Sequence, residues 1–467
     1  MHRRATSPAT DRSPGARRED PGPVAALGEL GRFVAAFDPA DHLGLREPLT
    51  RTLLDTLGVT IAGARTPEMR ALVAAWDPPP GPARIFGAGE RTVAETAAYL
   101  NGVSAVTLEL DEGNKYARGH PASHVFPAAL AVAQARDATG PELAAALLVG
   151  YEVASRFGRA VRLRPGVHPH GNWGTAGAAA AVARLMVLDA PAVAAALDVA
   201  CATVLATPFE AALVGSAARN GWVGASNVSG IAAARMAAAG ITGNDGLAAV
   251  TLGDILGELD PGELTAGLGE RFDIERGYFK RHASCSYTHP PADAALEILS
   301  ENPDLDHERV QEIIVETHSV AAPLDRTDCP TRLAAMFSIP YVVGVVLVTG
   351  GCGPAAFDDS RRADPAVRRL MCVTRVVGTE EFDRRLPEER AARVTITLND
   401  GISLAAEVPN PVGDVAHHPF GMREIREKLD GLLEEGTGEA LEALSRDLLE
   451  CKNVNDVLGG SPGGRSL

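Results

Sequence analysis

The sequence predicts a mostly helical protein, in which a large all-helical domain built from both chain ends accompanies a smaller α+β domain. Three observations predict this fold. Apolar residues recur at helical spacing over residues 24–272, and alternation with a period of two replaces that spacing over residues 273–404. Helical spacing then returns over residues 405–467, with helices predicted at 422–435 and 438–450, and we expect this segment to complete the first domain.

The first domain is predicted from a series of apolar segments. Six of them carry apolar residues every three to four positions, and Pro or Gly stands at most of their boundaries. The predicted helices span residues 48–62, 94–108, 127–135, 141–158, 174–188 and 191–204. Several are very rich in Ala. Because small side chains let helix axes approach closely, we expect these helices at the centre of the domain.

The smaller domain is predicted from its strands. Residues 310–318 alternate apolar and polar side chains, as a half-buried strand does. Residues 394–398 and 402–408 alternate in the same way on either side of an Asn-Asp-Gly sequence, which is typical of a hairpin turn. A helix is predicted between the first strand and this hairpin, at 333–347. The mixture of strands and helix indicates an α+β unit.

Charge and cysteine usage narrow the class of protein. The chain has 44 Lys and Arg against 60 Asp and Glu, a formal net charge of -16, which argues against general nucleic-acid binding. Its six cysteines form no C-x-x-C pair, so neither a zinc ribbon nor a disulfide framework is predicted. Because a reducing compartment suits such cysteines, we expect a cytoplasmic protein. No apolar stretch is long enough for a membrane span. Residues 1–23 are polar and Pro-rich and are predicted to be a disordered tail.

Two histidine-bearing loops run directly into predicted helices. Their ionisable residues are Asp111, Glu112, His120 and His124 in the first loop and His168 and His170 in the second. Because backbone N–H groups at a helix start favour a bound anion, both junctions can receive a carboxylate. One alternative is a solvated or capping loop, with Trp173 packed at the second helix. Another is a divalent metal site assembled from the four histidines with Asp111 and Glu112.

A third segment, residues 277–290, falls at the predicted domain junction, where pockets commonly form. It contains Lys280, one of only four lysines in the chain, next to Arg281, with His289 near its end. Adjacent Lys and Arg can clamp a carboxylate, with Arg supplying the bidentate contact. A solvated basic turn is the alternative. Tyr341 stands in the apolar helix predicted between the strands, either as a functional hydroxyl or as core with a satisfied hydroxyl.

Together these segments make the chain resemble the MmgE/PrpD family, which includes 2-methylcitrate dehydratase, cis-aconitate decarboxylase and iminodisuccinate epimerase. The resemblance covers about residues 24–450. Each matching piece is short, and the joint order and spacing carry the resemblance. The pieces are residues 53–63, residues 101–121 from Asn101-Gly102 to His120-Pro121, residues 150–153, His168-Pro169 with residues 174–178, Phe279-Lys280-Arg281, residues 338–341 and the helix with Lys428.

The resemblance implies a fold, an assembly and a site. Members have a large helical domain formed by the two chain ends and a smaller α+β lid domain. They are usually homodimers and use neither a metal nor an organic cofactor in a pocket between domain and lid. By position the catalytic residues would be His120, His168, Lys280, Tyr341 and Asp111, and the substrate-binding residues Arg219, Arg281 and His289. This chain departs from the family at two of these positions. Arg219 stands where the family has Lys, and the substitution keeps the positive charge. Asp111-Glu112 stands where many members have Asp-Asp.

The function implied is that of a cofactor-independent lyase acting on a small di- or tricarboxylate. Dehydration, as in 2-methylcitrate dehydratase, is the leading prediction. Decarboxylation of the cis-aconitate kind, epimerisation of a dicarboxylate and non-catalytic binding of a small anion are the alternatives. In the predicted mechanism His120 or His168 removes an α-proton, since His has an ordinary pKa near neutrality. The other His, or Tyr341, returns a proton, Asp111 orients a histidine, and the cations hold the carboxylates.

Overall fold

The computed structural model describes residues 22–243 and 245–459. Its first helix, α1 (Gly22–Ala36), takes in residues 22 and 23 of the predicted disordered tail, and the rest of that tail lies outside the described residues. Within these two ranges no helix is both long enough and apolar enough to cross a membrane.

The helical domain is a multilayer bundle, and all six helices predicted for it are present. After α1 its helices are α2 (Arg46–Ala64), α3 (Pro67–Trp76), α4 (Ala94–Thr107), α5 (Pro121–Ala135), α6 (Gly140–Ala160), α7 (Gly174–Leu185), α8 (Ala190–Ala202), α9 (Glu210–Leu213), α10 (Asn220–Ala238) and α11 (Pro261–Thr265). Two small antiparallel pairs accompany them, β1 (Pro80–Arg84) with β2 (Arg91–Thr92) and β3 (Val161–Leu163) with β4 (Gly257–Leu259).

Helix α5 starts six residues earlier than predicted, because Pro127 lies inside it and does not begin it. An interior Pro cannot donate to the carbonyl four residues earlier, here that of Ser123. The side chain of Asn227 on α10 takes that role: its Nδ2 donates to the Ser123 carbonyl at 3.0 Å. Its Oδ1 also accepts from the Ala128 N–H at 2.9 Å. A buried amide from a neighbouring helix therefore lets α5 continue through Pro127.

The Ala-rich helices lie at the centre of the bundle, as predicted. Helix α7 packs against α6 and α10, and every residue in its first ten is buried. A Cβ at Gly177 would come within 2.5 Å of the Ala154 side chain on α6, and one at Gly230 on α10 within 2.4 Å of Ala178. Small residues are therefore required where these helix axes meet.

The smaller domain, which we call the lid, is an α+β unit on a four-stranded sheet with strand order β6-β5-β7-β8. The strands are β5 (Val310–Thr317), β6 (Thr374–Gly378), β7 (Ala392–Leu398) and β8 (Ser403–Val408), and the helices are α12 (His289–Glu301), α13 (Arg332–Met336), α14 (Ile339–Thr349), α15 (Asp359–Arg362), α16 (Pro365–Cys372) and α17 (Glu380–Asp383). The predicted strand and hairpin are confirmed, with Gly401 at φ +87° in the turn. Strand β6 was not predicted, and it pairs parallel to β5 at the sheet edge.

The prediction of a single helix at 333–347 is wrong, since the structure has two helices there, α13 and α14. Ser338 leaves the helical conformation between them, with φ -117° and ψ 113°. Its Oγ accepts from the Tyr341 N–H at 3.0 Å, so Ser338 caps α14. Pro340 fits the first turn of the new helix but would clash in the interior of a continuous one.

The last segment returns to the helical domain. Its helices are α18 (Met422–Leu432), α19 (Thr437–Glu450) and α20 (Val454–Leu458). Helices α18 and α19 pack on α2, and α20 packs on α5. The larger apolar core draws on residues 26–279 and again on 425–458, whereas the second core is built mainly from residues 283–408. The buried charged residues of the candidate site lie at the boundary between these two cores.

Candidate active site

The loop that connects α4 to α5, residues 108–120, is rich in acids and almost entirely buried, and we call it the acidic loop. Lys280 of the lid lies with Nζ 3.1 Å from Asp111 Oδ1 and 3.4 Å from Glu109 Oε2. Burial alone would lower the pKa of Lys280, but the two carboxylates outweigh burial and raise that pKa above its ordinary value. Lys280 is therefore a fixed, fully buried positive charge against the loop.

Two further lysines hold the same loop. Lys428 of the last segment donates from Nζ to the Leu110 carbonyl at 2.8 Å and pairs with Asp55 at 2.6 Å. Lys115, within the loop, pairs with Asp414 at 3.0 Å, and both of these side chains are buried. Removing one partner of a buried pair leaves an uncompensated charge, which is strongly unfavourable. Three of the four lysines in the chain thus fix the acidic loop to the lid and to the last segment.

His120 ends the acidic loop at the start of α5, where Pro121 takes the first helical position as predicted. Its Nδ1 donates to the Glu112 carbonyl at 2.7 Å, and Asp111 Oδ2 lies 3.1 Å from the same nitrogen. Burial lowers the pKa of His120 more than Asp111 raises it, so the imidazole is neutral at pH 7. Burial disfavours ionised Asp111, but His120, Lys280 and Arg219 outweigh burial and lower the pKa of Asp111 to about 2. An ionised carboxylate thus adjoins a neutral imidazole.

The Glu112 side chain occupies the N-terminus of α5, where a bound anion was predicted. Its Oε2 accepts from the Ala122 N–H at 3.2 Å, and its Oε1 accepts from the Tyr151 hydroxyl at 2.5 Å. Burial raises the pKa of Glu112 to about 8, although both donors oppose that shift. The first helix start is therefore filled by a side chain of the protein itself, and this corrects the prediction of an open anion site there.

His168 and Arg219 form the second half of the site. His168 Nδ1 accepts from the His170 N–H at 3.0 Å, and Arg219 Nε lies 3.3 Å from His168 Nε2. Both ring nitrogens thus face N–H donors. A neutral imidazole can accept from only one of them, and a protonated imidazole could accept from neither. Burial and the charge of Arg219 accordingly hold the pKa of His168 well below its ordinary value. Arg219 is itself paired with Glu109 and stacks on Phe337 at 5.0 Å.

The four histidines of the two loops form one cluster. The ring of His170 lies edge-on to those of His120, His124 and His168, with centroids 5.4, 5.1 and 4.6 Å away. Within residues 22–243 and 245–459, no group of three or more His, Cys, Asp or Glu side chains converges as metal ligands would. The rings pack against one another, and the geometry gives the metal-site alternative no support.

A cavity of about 570 Å³ lies between the helical domain and the lid, a volume that suits a small molecule. Its walls carry polar and charged residues from both units: Glu109, His120, His168, His170 and Arg219 on the helical side, and Tyr278, Cys285, Ser286, Tyr287 and Arg390 on the lid side. Asp111 and Lys280 lie immediately behind the helical wall, in contact with Glu109 and His120. The structure therefore brings five predicted residues together: His120, His168, Arg219, Asp111 and Lys280.

Tyr341 does not reach this cavity. Its hydroxyl donates to the Ala356 carbonyl at 2.6 Å, and its ring packs against Phe357 in the core of the lid. The residues of α14 from Ile339 to Leu347 are all buried, so the apolar pattern gave no direction for the hydroxyl. The alternative considered for this residue, a core tyrosine with a satisfied hydroxyl, describes what is found.

Arg281 and His289 also point away from the cavity. Arg281 is half-exposed and lies 3.3 Å from Asp293 on the outer side of the lid junction. His289 is buried at the start of α12, with Nε2 3.2 Å from the Ser284 carbonyl. Lys280 contacts Asp111 of the acidic loop whereas Arg281 lies by Asp293, so the two cations do not form the predicted clamp.

Two buried charged residues of the cavity wall, Glu109 and Arg390, are not among the predicted site residues. Glu109 stands two residues before Asp111, so the density of acids in this loop was a usable signal for it. Arg390 is one of 40 arginines and lies in a run of charged residues ahead of β7, 110 positions after Lys280. Nothing local distinguishes it, and only the folded chain brings it to the cavity.

Comparison with known proteins accords with this architecture. The chain matches the MmgE/PrpD N-terminal domain over residues 28–254 and the MmgE/PrpD C-terminal domain over residues 282–453. Among relatives, cis-aconitate decarboxylase of Aspergillus terreus is 27% identical over 399 residues, covering 77% of this chain and 80% of that protein. Cis-aconitate decarboxylase-like protein oryM of Aspergillus oryzae is 26% identical over 92% of this chain and 95% of its own length. The human cis-aconitate decarboxylase is 26% identical over 78% and 79%. The chain therefore belongs to the MmgE/PrpD family and is an enzyme of the lyase kind found there.

Proposed function

We propose that this enzyme is a carboxy-lyase that removes CO₂ from an unsaturated tricarboxylate of the cis-aconitate kind. The names of three relatives support decarboxylation over the dehydration that the sequence favours. The observation that carries the proposal is the geometry of His120, a neutral imidazole on the wall of a cavity of small-molecule size. Arg219 on the same wall supplies the positive charge that a carboxylate substrate needs.

His120 is suited to accept and deliver a proton. Because Nδ1–H donates to the Glu112 carbonyl, the nitrogen that carries the lone pair is Nε2. Asp111, 3.1 Å from Nδ1, stabilises the imidazolium that forms when Nε2 takes up a proton. With a pKa of about 2, Asp111 stays ionised throughout. His120 can therefore serve as general acid and base without a change in the charge of its neighbour.

Decarboxylation needs both a positive charge and a proton. When the carbon–carbon bond breaks, its electron pair stays on the substrate and spreads toward a remaining carboxylate, and one proton is then added to carbon for each CO₂ released. Arg219 lies where it can stabilise that negative charge, and Glu109 fixes its guanidinium. Lys280, behind the wall, acts as a positioning residue that holds Glu109 and Asp111.

His168 is poorly suited to the proton transfer. The His170 N–H and Arg219 Nε face its two ring nitrogens, and protonation would remove the single acceptor that the neutral ring offers them. We therefore assign the proton to His120, and we assign to His168 the task of holding Arg219 in place. The sequence alone left these two histidines equivalent.

The test is turnover of cis-aconitate by the purified protein in D₂O, followed by proton NMR and by CO₂ release, with 2-methylcitrate as the competing substrate. We expect CO₂ and one deuterium on the product carbon. His120→Asn should lower kcat by about 10²- to 10⁴-fold, the usual contribution of a general acid or base. His307→Asn is the matched control, because His307 lies outside the cavity in the turn ahead of β5 and should leave kcat unchanged.

Each other outcome contradicts part of the proposal. Water loss from 2-methylcitrate, without CO₂ from cis-aconitate, would make the enzyme a dehydratase. Deuterium uptake with inversion of a dicarboxylate centre would make it an epimerase. Binding of both acids with no chemical change would overturn catalysis and leave a small-anion binder. Full activity of His120→Asn would overturn the assigned mechanism while keeping the reaction.

A further inference from the structure

Arg390 is the unusual charge of the cavity. It lies on the lid wall, the residue is 7% exposed, and its Nη1 donates to Ser286 Oγ at 3.4 Å. Its guanidinium carbon lies 5.3 Å from the ring centroid of Tyr278 and 5.5 Å from that of Tyr287. Across residues 22–243 and 245–459, no Asp or Glu oxygen comes within 4.0 Å of it. Arg390 is therefore buried among aromatic faces with no carboxylate in contact. Asp414, the acid that acts on it from farther away, is itself paired with Lys115.

The other buried arginine of the cavity, Arg219, is balanced. Glu109 accepts from its Nη1, and Glu109 also contacts Lys280. Burial alone would lower the pKa of Arg390, but the two tyrosines and the more distant Asp414 outweigh burial and raise it, so the guanidinium keeps its charge with no carboxylate in contact. A bound anion would complete the environment of Arg390. At Arg219, in contrast, an incoming carboxylate must share the cation with Glu109.

The backbone around Arg390 is held in one position. Its N–H donates to Asn410 Oδ1 at 3.1 Å, and Asn410 is itself buried and donates to the Glu388 carbonyl at 3.0 Å. The residue stands two positions ahead of β7, in the central part of the lid sheet. Such a pre-organised cation loses little conformational entropy when it binds an anion.

We infer that Arg390 binds a carboxylate of the substrate that takes no part in the reaction, and that it anchors the substrate to the lid. The inference rests on the proposed carboxy-lyase function. The reacting carbon must lie by His120 on the helical wall, whereas Arg390 approaches the cavity from the lid wall. A planar guanidinium binds a carboxylate through two parallel hydrogen bonds. Binding energy gained at a remote carboxylate then positions the reacting end. The ligand class is accordingly a polycarboxylate long enough to touch both walls.

The test separates binding from turnover by using tricarballylate, a saturated tricarboxylate that has no double bond to react. Isothermal titration calorimetry would compare wild type, Arg390→Gln, Arg390→Lys and Arg393→Gln. Arg393, on β7, is the matched control, because it pairs with Glu316 and Glu407 on the outer side of the sheet and does not line the cavity. We expect Arg390→Gln to raise Kd at least about tenfold, as the loss of a charge-assisted pair does. The Kd of Arg390→Lys should lie between those of wild type and Arg390→Gln, and the Kd of Arg393→Gln should stay within about twofold of the wild-type value.

The kinetic readout is a split between KM and kcat for cis-aconitate. Arg390→Gln should raise KM about tenfold and change kcat by less than about threefold, since the anchor does not contact the reacting carbon. Circular dichroism and thermal melting check folding, and Arg390→Lys carries the test if Arg390→Gln does not fold. Equal Kd values for wild type and Arg390→Gln would overturn the anchor. The anchor would also be overturned if wild type showed no binding of tricarballylate up to about 10 mM.

Failure of the anchor and failure of the proposed function give different results. Tricarballylate binding that depends on Arg390, in a protein that releases no CO₂ from cis-aconitate, overturns the function and supports the anchor. CO₂ release with an unchanged KM in Arg390→Gln supports the function and overturns the anchor.

Discussion

Two stretches of this chain look alike in sequence and behave differently in the folded protein. Each is a loop that carries His-Pro and runs into an apolar helix: the acidic loop before α5 and residues 166–173 before α7. At the first, His120 donates through Nδ1 to a carbonyl and has Asp111 beside it. At the second, both nitrogens of His168 face N–H donors. His120 and His168, which look equivalent in the sequence, thus differ in whether the imidazole can take up a second proton.

The difference comes from the partners of each loop and not from the histidines. The acidic loop is fixed by Lys280 and Lys428, which arrive from distant parts of the chain. The second loop is held mainly by uncharged groups: Asn172 accepts from the Trp173 N–H at 2.7 Å and donates to the His168 carbonyl at 2.6 Å. Thr207 Oγ1 also donates to that carbonyl, at 3.1 Å. Proton transfer is therefore expected where buried charges surround the histidine, and structural support where mainly uncharged hydrogen bonds hold the loop.

The largest expected effect is the loss of the charge that holds the acidic loop. Lys280→Met leaves Glu109 and Asp111 without their buried cation, and we expect the free energy of unfolding to fall by about 3–5 kcal/mol. Urea titration measures this change. Lys452→Met is the matched control, because Lys452 is exposed and its loss should cost less than about 0.5 kcal/mol. Equal stability of the two variants would remove the basis of the comparison between the loops.

A smaller effect is expected when Asp111 is replaced by Asn. This variant keeps the shape of the side chain but removes the negative charge beside His120, so the imidazolium loses its stabilising partner. We expect kcat for cis-aconitate to fall about a hundredfold, close to 2.7 kcal/mol of barrier. Steady-state kinetics measures it, with Asp137→Asn on the surface as the control. An equally large loss in a His168→Asn variant would contradict the division of tasks between the two loops.

The sequence predicted most of the helical architecture and half of the site for identifiable physical reasons. The apolar period located the helices, and Pro121 located the start of α5, because both signals are local. The scarcity of lysine drew attention to Lys280, which does hold the site. The same reasoning could not direct a side chain within a helix buried on all sides, so Tyr341 was assigned to the site although it lies in the core. Arg390 reaches the cavity only through the sheet of the lid, a contact that no local pattern encodes.

The smallest and most specific effect concerns Glu112, the residue next to Asp111. Glu112 fills the start of α5 with a carboxyl whose pKa burial raises to about 8, whereas the second loop uses the amide of Asn172 near the start of α7. Glu112→Gln makes the first loop resemble the second, because a carboxamide can accept from the Ala122 N–H and donate to Tyr151.

A pKa that is raised on folding means that the native state binds a proton more tightly than the unfolded state does. The stability contributed by Glu112 is then fully present below its unfolded pKa of about 4.5, and it is lost as pH rises toward 8. Relative to wild type, Glu112→Gln should therefore gain about 1 kcal/mol for each pH unit between 5 and 7. Urea titrations at these two pH values measure the gain. Asp111→Asn is the control, since the pKa of Asp111 is lowered to about 2 and its charge is present in both states throughout this range, so the stability lost in this variant should not change between pH 5 and 7. If the difference between Glu112→Gln and wild type does not change with pH, Glu112 is ionised in the native state, and the two loops differ less than their geometry indicates.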